Sequence, residues 1–182
     1  VGVDLDEFDV KISKEEARRR FGLPLDKKIA VYIGHLYPWK GADILPEAAK
    51  YLHEINVNYL ILIFGGTKKD VSGFESKIHP SVRHIIKTKG SIPHQKVATI
   101  LKAADCAVLT GKKFESISAK YTSPLKMFEY MASGCPIVVQ DLPSFREVLN
   151  ENNSVFAKAG DAKDLAEKIA WVFDDKNDES VK

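Results

Sequence analysis

The stretch Tyr59-Leu60-Ile61-Leu62-Ile63-Phe64 is apolar at every position and ends at Gly65-Gly66. Runs that are apolar at every residue, and not at every second one, are typical of strands buried on both faces of a sheet. Similar runs occupy residues 29–33, 106–109 and 136–139, with weaker ones at residues 84–86 and 154–156. The pattern therefore predicts about six strands in a sheet that is covered on both sides.

Amphipathic stretches separate these runs. Apolar residues recur at helical spacing in residues 44–55, 97–104, 125–132 and 165–173, and a short helical piece covers residues 14–21. Strands that alternate with helices indicate βαβ units and a parallel sheet. The fold class is therefore α/β, with a Rossmann-like, doubly wound parallel sheet.

Composition excludes several classes of protein. The chain has 182 residues, 45% of them hydrophobic, so it can bury a core and is neither disordered nor fibrous. The chain has 27 Lys and Arg and 25 Asp and Glu, a net charge of +2. This balance gives no broad positive electrostatic field that would attract nucleic acid. The longest apolar run is far shorter than the roughly 20 residues of a membrane helix.

The chain divides into three segments. Residues 1–27 are expected to be an incoming linker with a helix, residues 28–175 the Rossmann-like core, and residues 176–182 a frayed tail. Cys106 and Cys135 each adjoin an apolar run, so we expect two buried thiols in a reducing, cytoplasmic setting. Because the chain begins Val1-Gly2 with neither a methionine nor a signal peptide, we expect a fragment.

Ligands of parallel sheets bind outside the carboxyl ends of the strands, so the loops there are the candidate site. After the first strand come Gly34, His35 and Lys40, and then a helix. The glycine allows close approach to the backbone, and the lysine lies where an anion could meet the start of that helix. The alternative is a solvated lysine in a turn.

A second candidate is the helix after the fourth strand. Ser123-Pro124 is a typical helix start, and Lys126 and Glu129 follow three residues apart. The lysine could neutralise a phosphate, and the carboxylate could accept two hydrogen bonds from a ribose diol. The alternative, which the spacing alone favours, is a surface ion pair away from a core stripe formed by residues 125, 128 and 132.

Several motifs together resemble one family. The segments Ile33-Gly34-His35, Lys40-Gly41 and Gly160-Asp161-Ala162, and residues 1–8, 123–138 and 141–148, closely resemble the C-terminal domain of the family-four (group 1) glycosyltransferases. The resemblance implies one half of a GT-B fold, in which two Rossmann-like domains bind a nucleotide sugar mostly through the C-terminal one. Residues 1–182 are then a single donor-binding domain that lacks the N-terminal, acceptor-binding domain.

The resemblance also implies roles for individual residues. Lys40 matches the lysine that binds the diphosphate, and Glu129 the glutamate that binds the ribose hydroxyls. Backbone groups of Thr122, Ser123 and Leu125 match the turn that holds phosphate, whereas Pro124 has no N–H to donate. Ser91 and Ile92 match the segment that meets the nucleobase, and Gly34 lies beside the phosphates.

This sequence departs from the family at two positions. His35 stands where the family often has arginine, so one permanent positive charge is missing. Tyr121 stands where a second glutamate commonly touches the donor sugar, so a sugar contact there is in doubt and no catalytic residue is assigned. The Ser-Pro-Leu-Lys form of the motif implies that Lys126 takes over part of the phosphate binding.

The implied activity is that of a retaining hexosyltransferase that uses a UDP- or GDP-sugar in glycan or polysaccharide synthesis. It implies no bound metal and no cofactor, and a fragment that is inactive alone. The expected partners are the nucleotide sugar and the protein's own N-terminal domain, which would contact the inner face of the membrane peripherally; no nucleic acid is expected. Tyr121 favours an alternative, a non-catalytic nucleotide-binding or interaction module. An NAD-binding domain is disfavoured because the glycine pattern after Gly34 is incomplete.

Overall fold

The computed structural model describes residues 3–112 and 124–180, and in these residues it confirms a six-stranded, all-parallel sheet. The strands are β1 (Lys28–Ile33), β2 (Tyr59–Phe64), β3 (Ile86–Thr88), β4 (Cys106–Leu109), β5 (Ile137–Gln140) and β6 (Val155–Ala157). They lie in the order β3-β2-β1-β4-β5-β6. In this Rossmann order the direction of winding reverses between β1 and β4, which opens a crevice at the carboxyl ends of these strands.

Helices cover both faces of the sheet. They are α1 (Leu5–Phe8), α2 (Lys14–Arg20), α3 (Leu45–Ile55), α4 (Lys68–Glu75), α5 (Val97–Ala103), α6 (Pro124–Ser133), α7 (Pro143–Arg146) and α8 (Ala162–Phe173). Turns of 3₁₀ helix occur at Pro38–Lys40, Ala42–Ile44, Pro80–Val82, His94–Lys96 and Asp175–Ser180, the last in the stretch expected to be frayed. Within the described residues, no helix has the length and apolar character needed to cross a membrane.

The four central strands, β1, β2, β4 and β5, are buried on both faces, as their continuous apolar runs predict. Along β1, Val31 and Ile33 pack into one core cluster together with residues of α5 and α6. Ala30 and Tyr32 point the other way, into a second cluster built with α3 and α8. Two separate cores on the two sides of one sheet are what a doubly wound fold requires.

The third strand lies later in the chain than the sequence predicts. It was expected at residues 84–86 and occurs at Ile86–Thr88, because Ile85 still belongs to a turn in which its N–H donates to Val82 O at 3.0 Å. β3 is an edge strand that pairs with β2 alone among the described strands, and it exposes Lys87. An edge strand with an exposed side chain has no continuous apolar run to mark it.

The segment before β1 packs against the core. Arg18 on α2 is buried, and its Nε donates to Ala103 O at 3.0 Å while Nη2 donates to Asp105 Oδ2 at 2.6 Å. The same Asp105 oxygen accepts from the backbone N–H of Ile29 at 2.7 Å. One buried ion pair therefore joins α2 to the starts of β1 and β4.

Both cysteines are buried and free, as predicted. Burial raises the pKa of the Cys135 thiol to about 12 and that of Cys106 well above its usual value. Thiols that stay protonated at neutral pH are poor nucleophiles, so Cys106 and Cys135 act as small core residues.

Candidate functional site

A cavity of about 350 Å³ opens at the carboxyl ends of β1, β2 and β4. Its wall combines strand ends with the loops that follow them: Ile33, Gly34, His35, Lys40, Phe64, Gly65, Gly66, Ser91, Ile92, His94, Leu109, Thr110, Leu125 and Lys126. The volume lies within the range of about 300–1,000 Å³ for small-molecule sites. Seven residues predicted from the sequence line this one cavity: Gly34, His35, Lys40, Ser91, Ile92, Leu125 and Lys126.

Close backbone packing forms one side of the cavity. Gly65 has φ 137°, and a Cβ atom at this position would lie 1.8 Å from Gly34 O. Only glycine permits this approach, because a side chain would overlap the backbone of the loop after β1. The cavity wall here consists of backbone groups of two neighbouring loops.

Lys40 ends the 3₁₀ turn Pro38–Lys40 in the loop after β1. Its backbone oxygen accepts a hydrogen bond from Thr110 Oγ1 at 2.7 Å, which ties this loop to the end of β4. Burial lowers the pKa of the Lys40 ammonium below its ordinary value of 10.5. Among the described residues no carboxylate pairs with this ammonium. A partly desolvated cation of this kind is suited to an anionic ligand.

His35 lies beside Lys40 in the cavity wall. Its backbone oxygen accepts from the Tyr32 hydroxyl at 2.8 Å, and its ring stacks on Tyr37 with 4.9 Å between ring centroids. Tyr37 in turn stacks on Trp39 at 4.8 Å. The imidazole is therefore held by a stack of aromatic rings at the mouth of the cavity.

Ser91 and Ile92 also line the cavity, in the loop after β3. The Ser91 hydroxyl donates to Gly66 O at 2.9 Å, so it links the loops that follow β2 and β3. Because that hydroxyl is engaged by the backbone, the free groups that this segment offers to a ligand are mainly its backbone groups.

Lys126 and Glu129 form an ion pair on α6, with 2.7 Å between Nζ and Oε2. The other carboxylate oxygen, Oε1, lies 3.3 Å from Nε2 of His94. The Glu129 side chain is fully buried, whereas Lys126 is 29% and His94 is 50% exposed. The two basic groups therefore lie between the carboxylate and the cavity that they line.

Because Glu129 is buried, Lys126 and Glu129 do not form the surface ion pair that their spacing favoured. The predicted core stripe of α6 holds only in part, because Phe128 and Ala132 pack half-buried against the core, whereas Leu125 lines the cavity. The buried face carries Met127 and Tyr130. The reason is a polar anchor that hydrophobic spacing does not show: Tyr130 Oη accepts from the backbone N–H of Ile33 at 2.9 Å and turns this face toward β1.

His94 is a charged-group partner in the site that the sequence did not indicate, as it also did not indicate Phe64, Leu109 and Thr110 of the cavity wall. It lies two residues beyond Ile92, in the 3₁₀ turn His94–Lys96 that leads into α5. Its partner Glu129 is 35 residues further along the chain, so no local sequence motif contains both residues. The available signal was a titratable side chain in the loop after a predicted strand, at the carboxyl ends of the strands.

Part of the predicted site lies outside the described residues. Tyr121, Thr122 and Ser123 belong to that part, and the described portion of α6 begins at Pro124. The Ser123 cap, the backbone donors of the turn and the tyrosine therefore remain predictions.

The site combines two separate cations with one buried carboxylate. Lys40 comes from the loop after β1 and Lys126 from the helix after β4, and both line the same cavity. Across residues 3–112 and 124–180, no cluster of three or more His, Cys, Asp or Glu side chains is arranged to hold a metal ion. The chemistry available is thus ionic binding of an anion next to a hydrogen-bond acceptor for hydroxyl groups.

Comparison with protein families gives a match over nearly the whole chain. Residues 13–181 match the family model described as glycosyl transferases group 1. The chain is 30% identical over 170 residues to a putative teichuronic acid biosynthesis glycosyltransferase, TuaC, of Bacillus subtilis, which covers 93% of this chain and 39% of TuaC. It is 27% identical to a D-inositol 3-phosphate glycosyltransferase of Corynebacterium aurimucosum, covering 88% of this chain and 38% of that protein. The chain therefore spans about two fifths of the length of these relatives.

Solved structures share the fold at lower identity. Anabaena HepE, solved with UDP and glucose, superposes with a TM-score of 0.79 at 19% identity over 99% of this chain and 48% of its own. The C-terminal domain of LpcC, a group 1 family protein of Francisella tularensis, superposes with a TM-score of 0.77 at 19% identity. That match covers 100% of this chain and 92% of the LpcC domain, so the described unit corresponds to one domain of the GT-B fold.

Proposed function

Because the chain belongs to the group 1 glycosyltransferases, we propose that it is the donor-binding domain of a retaining, metal-independent hexosyltransferase. The reaction proposed is transfer of a sugar from a UDP- or GDP-sugar to an acceptor hydroxyl, with retention at the anomeric carbon. The observation that carries this proposal is the meeting of Lys40 and Lys126 in one cavity, above the buried carboxylate of Glu129.

The two lysines fit a diphosphate. Its two phosphates carry about two negative charges, and ammonium groups from two loops can approach them from different sides. When the sugar leaves, further negative charge develops on the diphosphate oxygens. Cations in a partly desolvated cavity stabilise that charge, which is the role that we assign to Lys40 and Lys126 in place of a metal ion.

The start of α6 adds to this binding. Its first backbone N–H groups are free of partners within the helix, and the helix dipole favours an anion there. Leu125, in the first turn of α6, lines the cavity, and the proposal extends this turn to Thr122 and Ser123. His35 adds a neutral or charged donor where the family often has a permanent cation.

The ribose and the base of the nucleotide are assigned to other residues in and below the cavity wall. We assign the ribose hydroxyls to Glu129, whose carboxylate can accept two hydrogen bonds. The base would lie against Ser91 and Ile92, in the loop after β3. None of the described residues that line the cavity is a carboxylate, so they offer no acidic nucleophile for a covalent sugar intermediate. We assign no catalytic residue.

The acceptor is proposed to bind a second, N-terminal domain. The chain spans about two fifths of its curated relatives, and it superposes on less than half of HepE. The isolated chain is therefore expected to bind the donor but to transfer little or no sugar. A peripheral membrane contact at the cytoplasmic face would likewise involve the second domain.

The relatives suggest the setting. TuaC is named for teichuronic acid biosynthesis, and a further relative, LpsB of Rhizobium meliloti, is a mannosyltransferase of lipopolysaccharide core biosynthesis that is 23% identical to this chain. We propose that the whole protein acts in the synthesis of a glycan or polysaccharide. The UDP found in the HepE structure supports the choice of UDP as the first nucleotide to test.

The proposal is tested by calorimetric titration of the chain with UDP and with GDP, without added metal. We expect one of the two nucleotides to bind and Glu129→Ala to weaken it by at least about tenfold, because a charge-assisted hydrogen bond is lost. Lys163→Ala, at an exposed lysine of α8, is the matched control and should bind as the unaltered chain does. A folded chain that binds neither nucleotide would contradict the proposal and favour an interaction module.

A further inference from the structure

The two oxygens of the Glu129 carboxylate have different partners. Oε2 accepts from Lys126 Nζ at 2.7 Å, and Oε1 lies 3.3 Å from His94 Nε2. Since an ionised carboxylate only accepts hydrogen bonds, His94 must present Nε2 as an N–H donor. Both contacts lie between the buried carboxylate and the cavity, so a ribose can reach Glu129 only after one of them is given up.

The two partners differ in how easily they can leave. Lys126 has a long, flexible side chain that is 29% exposed and lines the cavity where the diphosphate is proposed to bind. A diphosphate therefore competes with Oε2 for the Lys126 ammonium. That exchange frees Oε2 and leaves Oε1 with His94.

His94 is half-exposed, but its side chain is shorter than that of Lys126 and its ring contacts two helices. Its imidazole has two rotatable torsions, and the residue begins the 3₁₀ turn that continues directly into α5. On the side away from Glu129, the Nδ1 atom lies 3.8 Å from Oε2 of Glu7 on α1. The ring is therefore bracketed by α1 and α6 and is suited to be the fixed partner of the carboxylate.

We propose that His94 is a positioning residue that anchors Oε1 of Glu129, so that Oε2 faces the ribose once Lys126 has turned to the diphosphate. The inference rests on the proposed function, because it assumes that Glu129 binds the ribose. Its consequence is specificity: with the carboxylate fixed, a ribonucleotide binds more tightly than its 2′-deoxy counterpart. Without the anchor, the carboxylate rotates and this preference is lost.

The test compares nucleotide pairs that differ by one hydroxyl. The chain is titrated with UDP and with 2′-deoxy-UDP, or with GDP and 2′-deoxy-GDP where GDP is the nucleotide that binds. For the unaltered chain we expect a preference of about tenfold for the ribonucleotide, the size of one hydrogen bond to a charged group. In His94→Phe the ratio of the two affinities should be close to one. His94→Gln, which retains an N–H donor, should keep the preference for the ribonucleotide.

Two further variants separate positioning from general damage. His94→Asn has a donor on a shorter side chain that does not reach Oε1, so it should lose the preference even if His94→Phe does not fold. Gln95→Ala, at the exposed neighbouring residue, should leave the ratio unchanged. If His94 had only a structural role, its substitution would weaken the binding of both nucleotides equally.

The outcomes distinguish the inference from the function on which it rests. A preference that persists in folded His94→Phe or His94→Asn overturns the positioning role while the donor site stands. If the unaltered chain binds the ribonucleotide and the deoxynucleotide equally, the assignment of Glu129 to the ribose is wrong as well. If it binds no nucleotide, the proposed function itself is wrong.

Discussion

The ammonium of Lys126 lies 2.7 Å from the carboxylate of Glu129, one turn further along the same helix, and Glu129 is fully buried. Lys126, proposed to bind phosphate, and Glu129, proposed to bind ribose, thus neutralise each other's charge in this structure. A carboxylate without solvent needs such a partner. A nucleoside diphosphate can give both residues a new partner at once, the diphosphate for Lys126 and the ribose for Glu129. A nucleoside offers a new partner to Glu129 alone.

The first prediction concerns this exchange. Lys126→Met should lower the affinity for UDP or GDP by about tenfold or more, because a charged contact to the diphosphate is lost. The affinity for the corresponding nucleoside, measured by competition, should not fall, because Glu129 Oε2 is no longer covered by the ammonium. Equal losses for nucleotide and nucleoside would show that Lys126 does not act through the diphosphate.

A pH dependence is expected from Lys40. Burial lowers the pKa of its ammonium below 10.5, so the fraction of charged Lys40 falls as the pH rises through this lowered pKa. Nucleotide affinity should therefore decrease as the pH rises toward 10.5, at lower pH than an ordinary lysine would titrate.

The control for this pH profile is Lys40→Arg, whose guanidinium stays protonated throughout the range. Its affinity should change less with pH than that of the unaltered chain, even where the absolute affinity is lower. A decline that is just as steep in the arginine variant would assign the titration to another group.

The hydroxyl of Tyr130 is predicted to stabilise the fold. It is buried and accepts the backbone N–H of Ile33, so Tyr130→Phe leaves a buried donor without its partner. The free energy of unfolding should fall by about 1–3 kcal/mol in a urea titration. Tyr59→Phe, at a half-buried tyrosine that begins β2, should change it by less than about 0.5 kcal/mol. Similar losses in both variants would contradict a specific role for the Tyr130 hydroxyl.

A methyl group at Gly65 should distort the cavity. The positive φ and the overlap of a Cβ with Gly34 O predict a loss of about 2–4 kcal/mol in the free energy of unfolding for Gly65→Ala. The matched control is Gly73→Ala in α4, where a Cβ meets nothing within 4 Å. That change should stabilise the chain by up to about 1 kcal/mol. A Gly65→Ala variant as stable as the unaltered chain would refute the close approach of the two loops.

The sheet could be predicted because burial on both faces leaves a plain pattern. Residues 59–64 and 106–109 coincide with β2 and β4, and β1 differs only by Lys28 at its start. The prediction failed at β3, since an edge strand exposes Lys87 and its apolar run begins within the preceding turn.

The site could be predicted only in part. The rule that ligands bind at the carboxyl ends of parallel strands brought together the loops that carry Lys40 and Lys126. Ser91 was indicated only by the family resemblance. The burial of Glu129 was not predictable, because it depends on how α6 is turned by the Tyr130 hydroxyl. His94 was not predictable either, because its contact joins two segments that only the fold brings together.

The central claim is that the cavity holds a nucleoside diphosphate between the two lysines and Glu129. A crystal structure of the chain with the nucleotide that binds in calorimetry tests it most directly. We expect the diphosphate within hydrogen-bond distance of the Lys40 and Lys126 ammonium groups and the ribose hydroxyls on Glu129 Oε2, with Lys126 moved away from that oxygen. A nucleotide bound elsewhere, or bound here with the Lys126–Glu129 pair intact, would contradict it.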